Sequence, residues 1–224
     1  MARTALIFGH TSGLGRALSE RLLRRGDTVV GIARSGLSQE FSGLTEIACD
    51  LSQPADVEAA IDQIRCERFH FDLLIYSAGT LVAHEIDALE AASLVRLYQV
   101  NLFAPMMIES RLVDLCERNG ADVVNITSSA IHEYYPEFTE YATAKTALAK
   151  FTDDLRRRLR PTAARVIEFC PSGFTSEMYS RMEGPKIVRD ETVQMRAEDV
   201  ADLLVSVIDL PKNIEVGQIY VNRK

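Results

Sequence analysis

Cysteine is scarce in this chain, with four residues among 224. They stand at positions 49, 66, 116 and 170, without a Cys-x-x-Cys pair and without a histidine at the spacing of a zinc site. This distribution argues against a disulfide framework, and it predicts no metal site. We therefore expect four buried, reduced thiols and a cytoplasmic location, because thiols stay reduced in the cytosol.

Positive charge and long apolar runs are also in short supply. The chain has 25 basic side chains against 32 acidic ones, a formal net charge of -7. This balance argues against binding to nucleic acid or to an anionic membrane surface. No apolar run approaches membrane-spanning length, and the N-terminus shows no cleavage-type pattern. The expected partner is therefore a small molecule, with neither nucleic acid nor membrane involved.

What the chain does have is apolar content for one well-buried core. Hydrophobic residues make up 47% of it, which predicts a single domain over residues 1–224. Short runs rich in β-branched residues alternate with longer amphipathic stretches. This alternation predicts an α/β fold with a doubly wound, seven-stranded parallel sheet flanked by helices on both faces. The predicted strands are Ala5–Phe8, Thr28–Ala33, Thr45–Cys49, Asp72–Tyr76, Asp122–Thr127, Arg165–Phe169 and Gln218–Val221. The predicted helices cover residues 14–25, 54–67, 87–118, 139–159 and 197–209.

A glycine-rich turn follows the first predicted strand and opens the first predicted helix. Glycines let the backbone turn tightly and approach a pyrophosphate, whose charge meets free N–H groups and the positive end of the helix dipole. A glycine-rich turn alone is weak evidence, but its position between strand and helix strengthens it. The residues predicted to bind the phosphates are Gly9, Thr11, Ser12, Gly13, Leu14 and Gly15.

Tyr141 and Lys145 stand four residues apart on the fourth predicted helix. One helical turn places both side chains on the same face. An ammonium close to a phenol favours the phenolate and lowers the phenol's pKa toward the range that general acid–base catalysis requires. Taken alone, the pair indicates an ordinary exposed helical pair, because Tyr-x-x-x-Lys is common.

The glycine spacing G-x-x-x-G-x-G and several later motifs resemble those of the short-chain dehydrogenase/reductase (SDR) family, over essentially the whole chain. Tyr76-Ser77-Ala78-Gly79 stands at the family's Asn-Asn-Ala-Gly turn, and Asn101 at its helix-distorting Asn. Asn125-Ile126-Thr127-Ser128 matches the strand end that carries the catalytic Ser, 13 residues before Tyr141. The segment from Pro171 to Met178 is similar to the family's Pro-Gly segment.

The resemblance implies a Rossmann-type fold and an NAD(P)-dependent oxidoreductase that interconverts a carbonyl and a secondary alcohol. In this interpretation Tyr141 transfers the proton and Ser128 orients or stabilises the oxygen. Lys145 lowers the pKa of Tyr141 and holds the nicotinamide ribose, and Asn101 keeps a water-linked proton route. Further cofactor contacts are implied at Asp50, Leu51, Ser77, Ala78, Gly79, Tyr141, Lys145, Pro171, Gly173, Phe174 and Ser176.

Some positions depart from the family's pattern. Phe8 stands where a Thr usually precedes the first Gly, so one hydrogen bond that ties the loop is expected to be absent. Tyr76 and Ser77 replace the two Asn residues. Ser172 replaces the Gly after Pro171, and Ser176 replaces a Thr that would hold the nicotinamide carboxamide. We expect these changes to alter cofactor affinity without removing the chemistry.

The end of the second strand bears on the choice of cofactor. An acidic residue there would bind the ribose hydroxyls and repel a 2′-phosphate, but this chain has Ala33-Arg34-Ser35. A guanidinium favours the extra phosphate through charge-assisted hydrogen bonds. NADP is therefore the preferred cofactor and NAD a possible one, and Arg34 also reads as a solvated cation or one that stacks on adenine without selecting.

The substrate and the assembly are less determined by sequence. A stretch without clear periodicity, residues 173–192 around Gly184-Pro185, is predicted to form a short substrate lid. The family's helix pairing implies a homodimer or homotetramer, although burial within the chain explains the same apolar residues. The alternative to an enzyme is a non-catalytic nucleotide-sensing or scaffold protein on the same fold. The predicted pocket wall consists of Leu81, Ile131, His132, Tyr135, Phe174, Met178 and Arg181, and the predicted contact residues between subunits are Val95, Leu102, Met106, Leu148, Phe151 and Leu155.

Overall fold

Seven parallel strands form one sheet in the computed structural model, which describes residues 2–37, 39, 41–67, 69–182 and 194–224. The strand order is β3-β2-β1-β4-β5-β6-β7. The chain thus builds outward from β1 in one direction and then, beginning at β4, in the other. A crevice opens above the carboxyl ends of the strands where this order reverses. The strands are β1 (Thr4–Phe8), β2 (Thr28–Ala33), β3 (Leu44–Ala48), β4 (Leu73–Tyr76), β5 (Asp122–Ile126), β6 (Arg165–Pro171) and β7 (Gln218–Val221).

Helices cover both faces of this sheet, so the predicted doubly wound α/β fold is confirmed. Alternate residues of β1 point to opposite faces: Leu6 and Phe8 join the core on one face of the sheet, and Ala5 and Ile7 join the core on the other. A strand buried on both faces reads as a continuous apolar run, which is why these strands are recognisable in sequence. The helices are α1 (Gly13–Arg24), α2 (Pro54–Cys66), α3 (Ala91–Tyr98), α4 (Ala104–Asn119), α5 (Thr139–Leu159) and α6 (Ala197–Ile208).

The helix predicted over residues 87–118 is wrong as a single element. A 3₁₀ turn at Ile86–Ala88 precedes α3, and a π-helical turn at Gln99–Phe103 separates α3 from α4. Pro105 supplies a physical reason, because it has no N–H for the carbonyl four residues earlier and its ring crowds that carbonyl. The carbonyl in question belongs to Asn101, so the backbone is diverted at the residue that the SDR resemblance singled out.

The prediction of four buried thiols is wrong for one of them. Cys49, Cys116 and Cys170 are buried, whereas Cys66 is exposed at the C-terminal end of α2. Burial raises the pKa of both Cys49 and Cys116 to about 12. Cys66 ends its helix, where the apolar periodicity no longer requires a side chain to face the sheet. All four cysteines are free thiols.

No helix in the described ranges is long and apolar enough to cross a bilayer. The same ranges contain no group of three or more His, Cys, Asp or Glu side chains placed to hold a metal ion.

Glu109 is buried between α4 and the sheet, where Asn125 donates a hydrogen bond of 3.1 Å to its Oε2 atom. Burial raises the pKa of Glu109 to about 8. The folded chain therefore binds this proton more tightly than the unfolded chain does. The resulting stabilisation is complete below the unfolded pKa of about 4 and is lost as the pH rises through about 8.

Glu109→Gln is expected to flatten the pH dependence of stability, because the amide has no proton to lose. Between pH 5 and 8 the free energy of unfolding of the unmodified chain should fall by up to about 3 to 4 kcal/mol more than that of the variant. Urea unfolding at both pH values measures this difference. Glu117→Gln is the control, because this residue lies on the same helix and its side chain is 41% exposed. Parallel pH profiles for Glu109→Gln and the unmodified chain would contradict the assignment of a neutral Glu109.

Candidate active site

Two adjoining cavities lie above the carboxyl ends of the strands. The larger is a cleft of about 460 Å³, and the smaller is a pocket of about 70 Å³. They share lining residues from the turn after β4 and from the segment after β6. The predicted nucleotide residues that line the cleft are Gly9, Thr11, Ser12, Gly13, Leu14, Ala33, Arg34, Ser35, Asp50, Leu51, Ser77, Ala78, Gly79, Phe174 and Ser176. Pro171, Gly173, Ser128, Tyr141 and Lys145 line the smaller pocket.

The glycine loop is so closely packed that side chains are excluded from it. Gly9 has a φ of +87°, and a Cβ atom on it would lie 2.7 Å from the Cα atom of Ala78. A Cβ on Gly15 would lie 2.1 Å from the carbonyl oxygen of Gly9. Gly15 itself does not line the cleft but lets the first turn of α1 pack beneath the loop. The loop therefore presents backbone to the cleft, as a cradle for a pyrophosphate requires.

The far end of the cleft is formed by the turns after β2 and β3. Arg34 and Ser35 are exposed on the first of these turns and line the cleft. Asp50 follows β3, and its Oδ1 atom accepts hydrogen bonds from both the amide and the hydroxyl of Ser52, at 3.0 and 2.8 Å. Asp50 thus shapes the entry to α2 while also lining the cleft.

The smaller pocket brings together three of the four residues predicted to be catalytic. Ser128 caps a short 3₁₀ turn, Ser129–Ile131, and its Oγ atom accepts a 3.2 Å hydrogen bond from the Ala130 amide. Lys145 is only 2% exposed. Its Nζ atom donates to the Ile126 carbonyl at 2.8 Å and lies 5.7 Å from the centroid of the Tyr141 ring.

Burial lowers the pKa of Lys145 to about 7. The desolvated ammonium is thereby held close to its titration point, a condition typical of functional rather than structural lysines. The ordinary exposed-pair interpretation of Tyr141 and Lys145 does not fit this environment. Residues four apart on α5 place one side chain over the other inside a pocket.

Asn101 lies behind this pocket rather than in its lining. Its amide nitrogen donates to the carbonyls of Thr80 and Leu97, at 2.9 and 3.0 Å, and its Oδ1 atom accepts from the Thr80 amide at 3.3 Å. The side chain therefore holds the backbone of the turn after β4 against the π-helical turn. A Cβ on Gly79 would lie 3.0 Å from Oδ1 of Asn101, so the absence of a side chain at Gly79 makes room for this amide.

Tyr76, one of the departures from the family pattern, serves the same π-helical turn. The amide of Ala104 bonds to the Gln99 carbonyl, so the Val100 carbonyl lacks the partner that an α-helix would give it. The Tyr76 hydroxyl donates to that carbonyl at 2.6 Å. The buried Tyr76 ring stacks on Phe8, with centroids 5.9 Å apart. The two atypical residues therefore contact each other and support the site from below.

The predicted pocket wall is reproduced only in part. Leu81, Tyr135, Phe174 and Met178 line the smaller pocket or both cavities, and Arg181 lines the cleft. Neither Ile131 nor His132 is among the lining residues. The His132 ring instead packs edge-on against Tyr220, with centroids 5.4 Å apart, because the 3₁₀ turn after Ser128 directs it toward β7.

Two aromatic residues of the wall were missed in the sequence. Phe138 and Tyr179 both line the smaller pocket, and their rings lie 6.5 Å apart. Phe138 stands three residues before Tyr141, so helical spacing was an available signal. Tyr179 comes from an aperiodic segment that has no such signal.

The predicted lid begins beside the site. The structure describes residues 173–182 of this segment. Within it, the Thr175 amide donates a hydrogen bond of 2.9 Å to the Met195 carbonyl, just before α6. Residues 183–192, which include Gly184-Pro185, lie outside the described residues.

The predicted subunit contacts divide by burial. Leu102, Leu148 and Leu155 are buried in the chain's own core and Phe151 is partly buried, whereas Val95 is 67% exposed and Met106 is 36% exposed.

Comparisons with known proteins identify the family to which the chain belongs. The family model described as short chain dehydrogenase matches residues 3–185. Dehydrogenase/reductase SDR family member 11 of Homo sapiens is 25% identical over 97% of this chain and 92% of its own length. Two solved structures have similar folds. An alcohol dehydrogenase from the archaeon Thermococcus sibiricus, complexed with 5-hydroxy-NADP, has a TM-score of 0.86 at 19% identity and covers 99% of this chain and 96% of its own. A 4-hydroxyisoleucine dehydrogenase complexed with NADH has a TM-score of 0.85 at 18% identity and covers 99% and 97%. The chain therefore belongs to the short-chain dehydrogenase family of NAD(P)-dependent oxidoreductases.

Proposed function

We propose that this protein is an NADP(H)-preferring oxidoreductase that interconverts a carbonyl and a secondary alcohol, with Tyr141 as the general acid and base. The observation that carries the proposal is the continuity of the two cavities. Ser77, Ala78 and Gly79 line both the cleft behind the glycine loop and the pocket that holds Ser128, Tyr141 and Lys145. A nucleotide bound in the cleft would thus reach the reacting groups.

The residues present fit a dinucleotide. The glycine loop offers backbone where Gly9 and Gly15 exclude side chains, and the first turn of α1 directs its N–H groups to the same place. When bound, a nicotinamide dinucleotide supplies or accepts the hydride. The protein's own residues then have to hold the substrate oxygen, move its proton and exclude water.

In carbonyl reduction the substrate oxygen gains negative charge and needs a proton. Tyr141 donates that proton from its hydroxyl, and Ser128 donates a hydrogen bond to the same oxygen. Lys145, held by the Ile126 carbonyl beneath the Tyr141 ring, stabilises the resulting phenolate. Asn101 holds the turn that forms the floor between the two cavities. Oxidation of an alcohol uses the same groups in reverse.

The wall of the smaller pocket favours uncharged substrates. Its lining includes Leu81, Ala130, Tyr135, Phe138 and Met178. Of the lining residues that the structure describes, Lys145 is the sole charged one. A screen of neutral aliphatic and aromatic ketones and aldehydes, followed by loss of NADPH absorbance, tests the proposed activity. Saturable NADPH binding without turnover of any carbonyl or alcohol would favour a nucleotide-sensing role instead.

Arg34→Asp is expected to reverse the cofactor preference. A guanidinium on the turn after β2 binds a 2′-phosphate by charge-assisted hydrogen bonds, whereas a carboxylate there would repel it. The Kd for NADPH should rise about 10- to 100-fold and that for NADH by less than about threefold. Calorimetric titration of both nucleotides provides the measurement. Arg157→Asp, an exposed arginine on α5, is the control. Equal changes for both nucleotides would show that Arg34 does not select for the 2′-phosphate.

We also propose a cytoplasmic location and a homo-oligomeric assembly. The scarcity of cysteine supports a cytoplasmic protein, and the exposed Val95, Phe103 and Met106 on α3, the π-helical turn and α4 support a homodimer or homotetramer. Light scattering tests the assembly.

A further inference from the structure

A buried histidine beneath the glycine loop is not used by the chemistry described above. His10 follows Gly9 in the loop, yet its side chain is only 1% exposed and does not line the cleft. The ring lies flat on β2 at Gly31: a Cβ atom on Gly31 would come within 2.4 Å of the imidazole Cδ2 atom. Only glycine at position 31 leaves room for this ring.

The ring reaches a carboxylate on the next strand. Glu46 is paired with Gly31 in the register of β3 against β2. The Nε2 atom of His10 lies 2.6 Å from Oε1 of Glu46, whereas Nδ1 has no hydrogen-bond partner among the described residues. Partial burial by itself raises the pKa of Glu46. Hydrogen bonds from His10 and from the Leu37 amide outweigh this effect, so the pKa of Glu46 lies below its ordinary value. The carboxylate is thus ionised, and Nε2 carries the proton that joins the pair.

The same carboxylate oxygen holds the turn after β2. The amide of Leu37 donates to Oε1 of Glu46 at 2.8 Å. A Cβ on Gly36 would lie 2.6 Å from Oε2, so the turn is folded closely onto this carboxylate. Arg34, Ser35, Gly36 and Leu37 all line the cleft, but Glu46 does not. Two hydrogen bonds to the Glu46 carboxylate, one from the buried His10 and one at the surface from the Leu37 amide, therefore join the loop at the pyrophosphate end to the turn at the 2′-phosphate end.

We propose that His10 and Glu46 form a positioning pair that fixes the distance between the glycine loop and the Arg34–Leu37 turn, and that this pair thereby sets the selectivity for dinucleotides with a 2′-phosphate. The pair acts through Leu37 and through the loop backbone, without contact with the nucleotide. This inference rests on the proposed binding of NADP(H) in the cleft. If the turn were released from Glu46, Arg34 would no longer be held in a fixed position. The affinity for a ligand without the 2′-phosphate would change little, because such a ligand does not use Arg34.

Glu46→Ala tests the pair by calorimetric titration with NADPH, NADH, adenosine 2′,5′-bisphosphate and adenosine 5′-monophosphate. The Kd values for the two ligands with a 2′-phosphate should rise about tenfold, and those for the other two by less than about twofold. In kinetics the KM for NADPH should rise while kcat stays close to its original value. Glu46→Gln, which keeps an acceptor oxygen for the Leu37 amide and for His10, should recover most of the selectivity. Glu58→Ala, a surface glutamate paired with Arg111, should change none of these constants.

Thermal melting identifies any variant that fails to fold. If Glu46→Ala fails to fold, His10→Phe replaces it as the test variant, because phenylalanine keeps a ring over Gly31 but loses the hydrogen bond. The measured quantity is then the ratio of the Kd for NADH to the Kd for NADPH. Equal Kd increases for ligands with and without the 2′-phosphate, or no increase at all, would overturn the proposal and leave the proposed function intact. An unmodified chain that binds neither NADPH nor NADH would overturn the proposed function and this inference with it.

Discussion

Tyr141→Phe is expected to lower kcat by about 10²- to 10⁴-fold, the range in which general acid–base groups contribute to catalysis. The variant loses only a hydroxyl. Its ring can still pack in the pocket above Lys145 and beside Leu81, Phe138 and Met178. The Kd for NADPH should therefore stay within about twofold, because the loss concerns a proton that moves only during the reaction.

The measurement pairs steady-state turnover of a carbonyl substrate with calorimetric titration of NADPH on the same preparation. Tyr134→Phe is a matched control, since Tyr134 is 85% exposed and lies outside both cavities. If Tyr141→Phe turns over as fast as the unmodified enzyme, the proposed proton donor is wrong. If it loses NADPH binding together with turnover, the residue has a structural role that the geometry does not indicate.

Much of this site can be predicted from the sequence because two short-range rules apply to it. Helical spacing places Tyr141 over Lys145, and a strand followed by a glycine-rich turn and a helix places a pyrophosphate cradle at the N-terminus. Both signals lie within stretches of a few residues. The seven-stranded sheet was equally accessible, because strands buried on both faces are continuous apolar runs.

Contacts between distant residues could not be derived in this way. His10 and Glu46 meet across 36 residues, and Tyr76 reaches Val100 across 24. Each contact depends on register and on a local break in regular structure, such as the π-helical turn. The failure at His132 has the same origin: sequence places it four residues after Ser128, but a 3₁₀ turn rotates its ring toward Tyr220.

Contacts between distant residues also explain how the departures from the family pattern are tolerated. Phe8 and Tyr76 replace small polar residues with two large rings, and either change alone would leave a ring without its partner. Together the rings stack, and the Tyr76 hydroxyl satisfies a carbonyl that the π-helical turn has freed. A buried carbonyl without a partner is costly, so this hydrogen bond stabilises the distorted helix that carries Asn101.

Asp122→Ala is expected to produce the opposite result to Tyr141→Phe, a large loss of stability with little change in chemistry. Asp122 begins β5 and is paired in register with Arg165 at the start of β6. Both side chains are buried, and two hydrogen bonds of 2.8 and 2.7 Å join them. Arg165 also donates to the carbonyls of Ile208 and Leu210 and so holds the connection from α6 to β7.

Removing the carboxylate leaves a buried guanidinium without its counter-charge, which destabilises proteins by about 3 to 5 kcal/mol. Urea unfolding should show a loss of this size for Asp122→Ala and only about 0 to 1 kcal/mol for Asp114→Ala, whose ion pair with Arg65 is on the surface. The double variant Asp122→Ala, Arg165→Met should lose less than the sum of its single variants, because it contains no unpaired buried charge.

The pair lies at the amino ends of β5 and β6, whereas the reacting residues follow their carboxyl ends. Folded Asp122→Ala should therefore keep its kcat within about twofold and its Kd for NADPH as well. A loss of less than 1 kcal/mol would show that Lys212 and the backbone carbonyls together compensate for the missing carboxylate. A loss of kcat in the folded variant would show that the two ends of the sheet are coupled, and that the precision of the pocket depends on how the strands are fixed at the other end.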